Sequence, residues 1–406
     1  MKLLLIIPSG KRGGVEEHGL KILTAAAKTG WDAHAAFPKK PGMDSLAADL
    51  REAGVKYHPL EIAETAIPSL AEISKKHQAL LPILRDLLIP RLQFDSRKVP
   101  HFLRTLLLLR RLKPEVVMLN LPWADYGMGS MLACALLQIP TLVVFHLIPH
   151  PLSLGSIKRR LYRWMHNREQ KWIGVSMSNA RFISQSFHLS QEETGWIYNG
   201  ATIRPELPAD MAAHRHRIRL ELGLPPDAVI ALTVARLSSQ KGHDFLIPAI
   251  PSLLDKFPGL TFVWVGEGEK KEELLAMLST YRVTDHVLLL GHRSDVPDLL
   301  QAADLFVFPT YYEGQPFALL EAMAYGLPLI TTTTDGIPEV IQHKVHGLLT
   351  KKGDSVELLE SICWALHHPE AMRQMAEEAR QRVKDFSEEK MLVETLNLLK
   401  DLAASA

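Results

Sequence analysis

Short apolar runs alternate with longer stretches of helical periodicity along the whole chain. Residues 2–8 form an apolar run, a glycine-containing segment follows at 9–15, and 16–29 carries a helical pattern. Further runs lie at 31–37, 116–119 and 141–145, and residues 174 and 175 close another before a helix at Asn179. The second half repeats the rhythm. Strands are expected at 229–234, 261–265, 287–290, 305–308 and 329–332, with helices at 245–256, 269–281, 296–302, 317–325 and 356–366. Parallel neighbours need a long crossover connection, which a helix supplies, so this alternation predicts open parallel sheets. The turn- and proline-rich segment 199–209 marks a boundary. The expectation is an α/β protein of two Rossmann-like domains, 1–198 and 199–386, facing each other across a cleft. A last helix in 387–406 is expected to pack back on the first domain. Ligands of such sheets sit at the carboxyl ends of the strands.

Composition narrows the class. The chain has 406 residues, 47% hydrophobic and 22% charged, enough for two domains with substantial cores. Its two cysteines, Cys134 and Cys363, form no zinc spacing or disulfide framework and read as thiols in a reducing cytoplasm. The first apolar run ends at Pro8, too soon for a signal peptide, and the apolar stretch 131–149 contains Gln138, Pro140 and His146, a poor membrane span. A cytoplasmic location follows as an expectation.

Charge is asymmetric. Residues 1–200 hold 26 Lys and Arg against 16 Asp and Glu, whereas residues 201–406 hold 20 against 29. The basic excess gathers on two helical stretches with interleaved apolar residues, 70–112 and 156–172. Such helices bind anionic membrane surfaces or simply present a solvated face. A peripheral place at the inner face of the cell membrane is one expectation. Nucleic acid is not, because stacking aromatics are not interleaved and the other half is acidic.

Candidate chemistry concentrates at strand ends. Glu313 lies in a turn after the strand 305–308, and Glu321 lies in the helix that follows. At 1.5 Å rise per residue the two carboxylates stand about 12 Å apart, too far to share a proton but suited to the two ends of one ligand. The helix N-terminus near Pro316 offers an anion site, and Glu321 sits among Leu319, Leu320, Ala322 and Met323 in a segment that reads as buried. Arg236 and Lys241 occupy the loop after strand 229–234, where two cations five residues apart could straddle a diphosphate. Gly266-Glu267-Gly268 ends the next strand, but Lys271 stands where a dinucleotide fingerprint needs its third glycine. Gly13-Gly14 follows the first strand, and His146 follows the strand 141–145. His18, Asp125 and Ser178 are further polar residues within reach of a cleft. Asp-x-Asp, a metal-holding motif of other transferases, does not occur.

The run from Pro309 to Pro328, with Glu-x7-Glu inside Pro-Thr-x-x-Glu-Gly and Leu-Glu-Ala-Met-Ala-x-Gly-x-Pro, resembles the retaining GT-B glycosyltransferases of family 4. The resemblance spans nearly the whole chain and is strongest over 231–349. It implies a sugar transfer from a nucleotide diphosphate donor, most often a UDP-sugar, to a hydroxyl of a glycan, lipid-linked sugar or other glycoconjugate, without cofactor or metal. Glu313 would lie at the donor sugar and Glu321 on the ribose hydroxyls. Arg236 and Lys241 would neutralise the leaving diphosphate, and His146 would reach the sugar hydroxyls. Gly13, Gly14, Gly266, Arg293, Gly314, Gln315, Phe317, Ala318 and Leu320 would complete the donor site, largely through backbone groups. Many members read Glu-Gly-Phe-Gly where this chain has Glu313-Gly314-Gln315-Pro316, and Pro316 has no N–H to donate. Rival readings are a GT-B-like epimerase or phosphorylase, a non-catalytic nucleotide-sugar binder and an NAD-dependent dehydrogenase.

Overall fold

A computed structural model describes residues 1–61, 99–124, 126–203 and 210–405. The chain divides into two units, Met1–Tyr198 with Leu392–Ala406, and Asn199–Met391.

In the first unit the strands are β1 (Lys2–Ile6), β2 (Asp32–Phe37), β3 (Lys56–Pro59), β4 (Val116–Leu121), β5 (Thr141–Phe145), β6 (Gln170–Gly174) and β7 (Thr194–Trp196). They pair in the order β3-β2-β1-β4-β5-β6-β7, every pair parallel. The helices between them are α1 (Gly14–Lys28), α2 (Asp44–Glu52), α3 (Val99–Leu112), α4 (Met128–Leu137), α5 (Ser156–His166) and α6 (Met177–Phe187). Helices cover both faces of such a sheet, so its central strands bury both sides and read as unbroken apolar runs. Leu3, Leu4, Leu5 and Ile6 of β1 are all fully buried. Helix α1 carries Glu16 and Glu17 in its first turn and Lys28 in its last, which complements the helix dipole. Its Ile22, Leu23 and Ala26 recur at helical spacing against the sheet. Helix α4 overlaps the start of the apolar stretch 131–149, and seven of its ten residues are buried.

The second unit repeats the plan. Its strands β8 (Val229–Val234), β9 (Leu260–Val265), β10 (Val287–Leu289), β11 (Leu305–Phe308), β12 (Leu329–Thr332) and β13 (Leu348–Thr350) pair in the order β10-β9-β8-β11-β12-β13, again all parallel. The longer helices are α7 (Met211–Glu221), α8 (Ile250–Lys256), α9 (Lys271–Thr280), α10 (Val296–Ala302), α11 (Phe317–Ala324), α12 (Ser355–His367), α13 (Pro369–Arg382) and α14 (Glu388–Ala404). The single helix expected at 245–256 is instead a helical turn His243–Leu246, a 3-10 turn Ile247–Ala249 and then α8. Pro248 and Pro251 lack the N–H groups that one continuous ladder needs. Helix α14 belongs to the first unit from Leu392 onward, and there Lys400 Nζ stands 6.0 Å over the Trp31 ring.

Among the described residues no helix is long and apolar enough to cross a membrane. Residues 62–98, which include most of the basic stretch 70–112, lie outside the described residues, as do Asp125 and residues 204–209 of the boundary segment.

Candidate active site

In the second unit the chain leaves β8 toward β9 and β10, then returns on the other side of β8 to form β11. Connections therefore diverge at the carboxyl ends of β8 and β11, where open sheets hold their ligands. The loop after β8 carries Arg236 and Lys241, and the loop after β11 carries Glu313. Backbone contacts stitch the two loops together. Tyr311 N–H donates to Gln240 O at 2.9 Å, and Gln240 Nε2 donates to Tyr312 O at 2.8 Å. Gly242 has φ +66°, and a Cβ there would fall 1.6 Å from Pro309 O, so only glycine allows this approach.

That stitching sets Lys241 Nζ 2.5 Å from Glu313 Oε1. The same oxygen accepts from Thr310 Oγ1 at 2.8 Å, and Lys241 Nζ stands 5.2 Å over the Phe308 ring. Glu313 is buried, and its N–H donates to Asp335 Oδ2 at 3.0 Å. Asp335 follows β12 and has φ +44°, a region aspartate tolerates better than most residues. Burial pushes its carboxyl above the ordinary range. Three strand ends thus converge on Glu313. The sequence reading missed Asp335. Its only signal is the Thr-Asp-Gly turn that follows an apolar strand.

Arg236 is exposed and pairs with Glu269 at 2.9 Å, so the two cations hold different carboxylates. Arg293 forks onto Asp295 at 2.7 and 2.5 Å. Gly266 has φ +136° and its backbone packs on Ala235 O, where a Cβ would lie at 2.1 Å. Gly314 and Gln315 are buried, and Phe317 and Ala318 are half-buried. The Gln315 side-chain oxygen accepts from Asn199 N–H at 2.5 Å and its carbonyl from Asn199 Nδ2 at 2.7 Å, which turns this residue to Asn199.

Two expectations need correction. Leu320 is fully buried and its N–H donates back to Pro316 O at 3.4 Å within the helix, so its side chain is core and its amide is occupied. Glu321 is half-buried rather than buried, because it falls on the more open face of α11 between the core positions Leu320 and Ala322. The helical spacing also applies only from Phe317, since Pro316 caps α11 in an extended conformation (φ −75°, ψ 125°).

In the first unit Gly13 caps α1 in extended backbone, and both Gly13 and Gly14 are exposed. His146 follows β5 and is buried, its ring 4.8 Å from that of His18 in an edge-on arrangement. Asn120 of β4 donates through Nδ2 to Val15 O at 3.2 Å and meets His18 Nδ1 at 3.1 Å. The amide nitrogen is thus the donor, so His18 Nδ1 accepts and its proton sits on Nε2. Burial, with a nearby Lys21 charge, pushes His18 down to about 3. Burial, and then His18, push His146 well down. Both rings are neutral near pH 7, so His146 can exchange hydrogen bonds but brings no positive charge. Glu16, also buried, was not singled out from the sequence, because a glutamate in a first helical turn reads as solvated.

These burials give stability a pH dependence. His243 in the second unit is likewise pushed down to about 3, first by burial and then by Lys241. The unfolded chain takes up protons on His18, His146 and His243 near pH 6.5, and the folded chain refuses them. Their neutral burial is therefore cost-free above pH 6.5 and costs stability progressively as pH falls below it. Glu16 acts oppositely. Its carboxyl is raised to about 7, so its effect is lost stability as pH rises from 4.5 to about 7. Three groups outweigh one, and urea unfolding is expected to show stability falling between pH 6.5 and 4.5. Replacing His243 by Phe, which keeps a ring against Trp264, should flatten that slope by about 1.4 kcal/mol per pH unit. An unchanged slope would contradict the burial account.

Among the described residues no group of three or more His, Cys, Asp or Glu is disposed to hold a metal ion.

A family model described as Glycosyl transferases group 1 matches residues 214–382, and one described as Glycosyltransferase Family 4 matches residues 12–203. The chain is 31% identical over 209 residues to the putative glycosyltransferase EpsD of Bacillus subtilis strain 168, covering 52% of this chain and 54% of that protein. It is 27% identical over 248 residues to the UDP-Gal:alpha-D-GlcNAc-diphosphoundecaprenol alpha-1,3-galactosyltransferase of Escherichia coli, covering 58% of this chain and 62% of that one. In both cases the chain spans less than two thirds of the relative's length. Among solved structures, Anabaena Alr3699/HepE in complex with UDP-glucose superposes with a TM-score of 0.78 at 20% identity, over 99% of this chain and 100% of that one. That likeness shows a shared fold, the GT-B type of two Rossmann-like domains.

Proposed function

Because the chain belongs to the family 4 glycosyltransferases, the glycosyl transferases of group 1, we propose that it moves a sugar from a nucleotide diphosphate to a hydroxyl with retention of anomeric configuration. The observation that carries the reading is the Lys241–Glu313 pair at the diverging ends of β8 and β11. A glycosyl–phosphate bond breaks with negative charge growing on phosphate and positive charge on the anomeric carbon. Lys241 and Arg236 lie where a strand-end loop could meet the first charge, and the Glu313 carboxylate answers the second. Glu321, about one turn past the start of α11, would take the ribose hydroxyls. In the proposed step the anomeric C–O bond to phosphate breaks and the acceptor oxygen bonds to carbon on the same face. The acceptor proton passes to the departing phosphate oxygen.

A UDP-sugar is the preferred donor. The reading is supported by the UDP-sugar in the name of the Escherichia coli relative and the UDP-glucose bound in the Anabaena structure. A glycan or lipid-linked sugar is the preferred acceptor class. The cations already present in the loops support transfer without a metal. Proton NMR of the product tests the reading: an axial donor should give an axial product linkage, with or without EDTA. An inverted product, or an epimerised donor with no acceptor consumed, would reject it.

A second part of the proposal concerns location. Helix α5 presents Arg160 and Arg163 at the surface with Ile157 44% exposed beside them. Such a surface favours an anionic lipid face by about 1 kcal/mol per basic residue near it. Vesicles with anionic lipid are expected to retain more protein than neutral ones, and Arg160→Glu with Arg163→Glu should reduce the difference. Equal partition into both vesicle types would remove this part of the proposal.

A further inference from the structure

After Phe308 the chain leaves the sheet, and its backbone polar groups need new partners. Residues 331–335, at the carboxyl end of β12, supply them with the sequence Thr-Thr-Thr-Thr-Asp. Thr331 Oγ1 donates to Phe308 O at 2.9 Å, Thr332 Oγ1 to Thr310 O at 2.5 Å and Thr334 Oγ1 to Tyr311 O at 3.0 Å. Thr333 is the exposed member of the run, and its N–H donates to Thr350 O of β13 at 2.7 Å. Asp335 closes the series in the opposite sense, its Oδ2 accepting the Glu313 N–H at 3.0 Å. A hydrogen bond to an ionised acceptor is roughly twice as strong as one between neutral groups. The turn is thus held residue by residue, most firmly at the amide of the residue that carries the carboxylate.

The backbone of Asp335 is itself unusual. Of the other non-glycine residues at positive φ, Lys113, Gln138, His188 and Arg282 directly follow helices, where left-handed backbone is an ordinary ending. Asp335 follows a strand, at φ +44°. That region is disfavoured for a side chain, and residues held in it gather at functional loops, where their surroundings fix them. Here the conformation brings Oδ2 onto the Glu313 amide. The Glu313 carboxylate is gripped at one oxygen only. Oε1 takes both Lys241 Nζ and Thr310 Oγ1, and among the described residues Oε2 takes no hydrogen bond. We propose that Asp335 is a positioning residue for the transfer: by accepting the Glu313 N–H it fixes the turn, so that Oε2 is presented at one place to the donor sugar while Lys241 and Thr310 hold Oε1. The inference rests on the transferase reading above and adds a residue that acts through the Glu313 backbone.

The test compares two substitutions that both tolerate left-handed backbone. Asp335→Asn keeps an acceptor oxygen, and Asp335→Gly removes it. UDP release from UDP-glucose, UDP-galactose and UDP-N-acetylglucosamine is measured on the full chain, together with the dissociation constant of UDP. For the best donor, Asp335→Gly should lower kcat about 10- to 100-fold with donor KM and UDP affinity within about threefold of wild type, because a misplaced group costs rate rather than binding. Asp335→Asn should restore most of that kcat. Because Asp335 acts through Glu313, adding Asp335→Gly to Glu313→Gln should lower kcat by less than about threefold more. Four results would overturn the inference while the transferase reading stands: wild-type kcat in Asp335→Gly, equal loss in Asp335→Asn and Asp335→Gly, UDP affinity lost along with kcat in Asp335→Gly, or a full further loss in the double variant. No turnover of any of the three donors by wild type would overturn the transferase reading and this inference with it.

Discussion

Replacing Glu313 by alanine is expected to abolish transfer and to destabilise the second unit, and the double variant Lys241→Met, Glu313→Gln is expected to return the stability alone. The Lys241 side chain is 17% exposed and that of Glu313 is 7% exposed. Breaking a buried pair by removing one partner strands the other charge, at about 3–5 kcal/mol in a dry site. Water reaches Lys241, and the Phe308 face gives its ammonium a weak alternative, so about 2–3 kcal/mol is expected here. Replacing both partners by neutral groups of similar volume removes the stranded charge. Activity follows a different rule. Losing the carboxylate proposed to face the developing charge should lower kcat at least about a hundredfold, in single and double variants alike. Urea unfolding and donor turnover on the same samples separate the two effects. Recovery of turnover in the double variant would show that the pair serves only the fold.

Gly242→Ala is expected to cost more stability than any other single methyl added to the described glycines of the second unit. The new Cβ would stand 1.6 Å from Pro309 O and 2.5 Å from the Phe245 ring, at φ +66°. A backbone oxygen fixed by β11 cannot move aside as a flexible side chain would. The loop after β8 must open instead and carry Lys241 away from Glu313. Overpacking of this severity, with the strain of positive φ, should cost more than about 3 kcal/mol. Gly223→Ala is the matched control, with φ +71° and nothing within 4 Å of its Cβ. It should cost only about 1 kcal/mol, the conformational strain alone. Equal losses in the two variants, by urea unfolding, would show that the contact with Pro309 is unimportant.

The central strands were legible in the sequence because burial on both faces makes them uninterrupted apolar runs. The expected 229–234, 305–308 and 329–332 coincide with β8, β11 and β12. Edge strands were not legible. Lys56–Pro59 of β3 is half exposed and mostly polar, and Leu348–Thr350 of β13 is three residues long. Pairing partners were also beyond reach. Lys241 and Glu313 are 72 residues apart, and they meet because β8 neighbours β11 in the sheet order. Motif order named both residues without showing their contact. Asp335 and Glu16 escaped because an acidic residue in a turn or a first helical turn reads as solvated. The fold buries both through packing that no local pattern records.

A thermal-shift titration with UDP, GDP, ADP, NAD and common sugar conjugates, on wild type and Glu321→Ala, tests nucleotide-sugar binding in the second unit. A ligand at a hundred times its dissociation constant adds about 2.7 kcal/mol to stability. Melting temperature is expected to rise with one nucleotide diphosphate family, above all UDP and its sugars, and the rise to be lost or much reduced in Glu321→Ala. A flat response to every nucleotide diphosphate, or a rise with NAD alone, would contradict it.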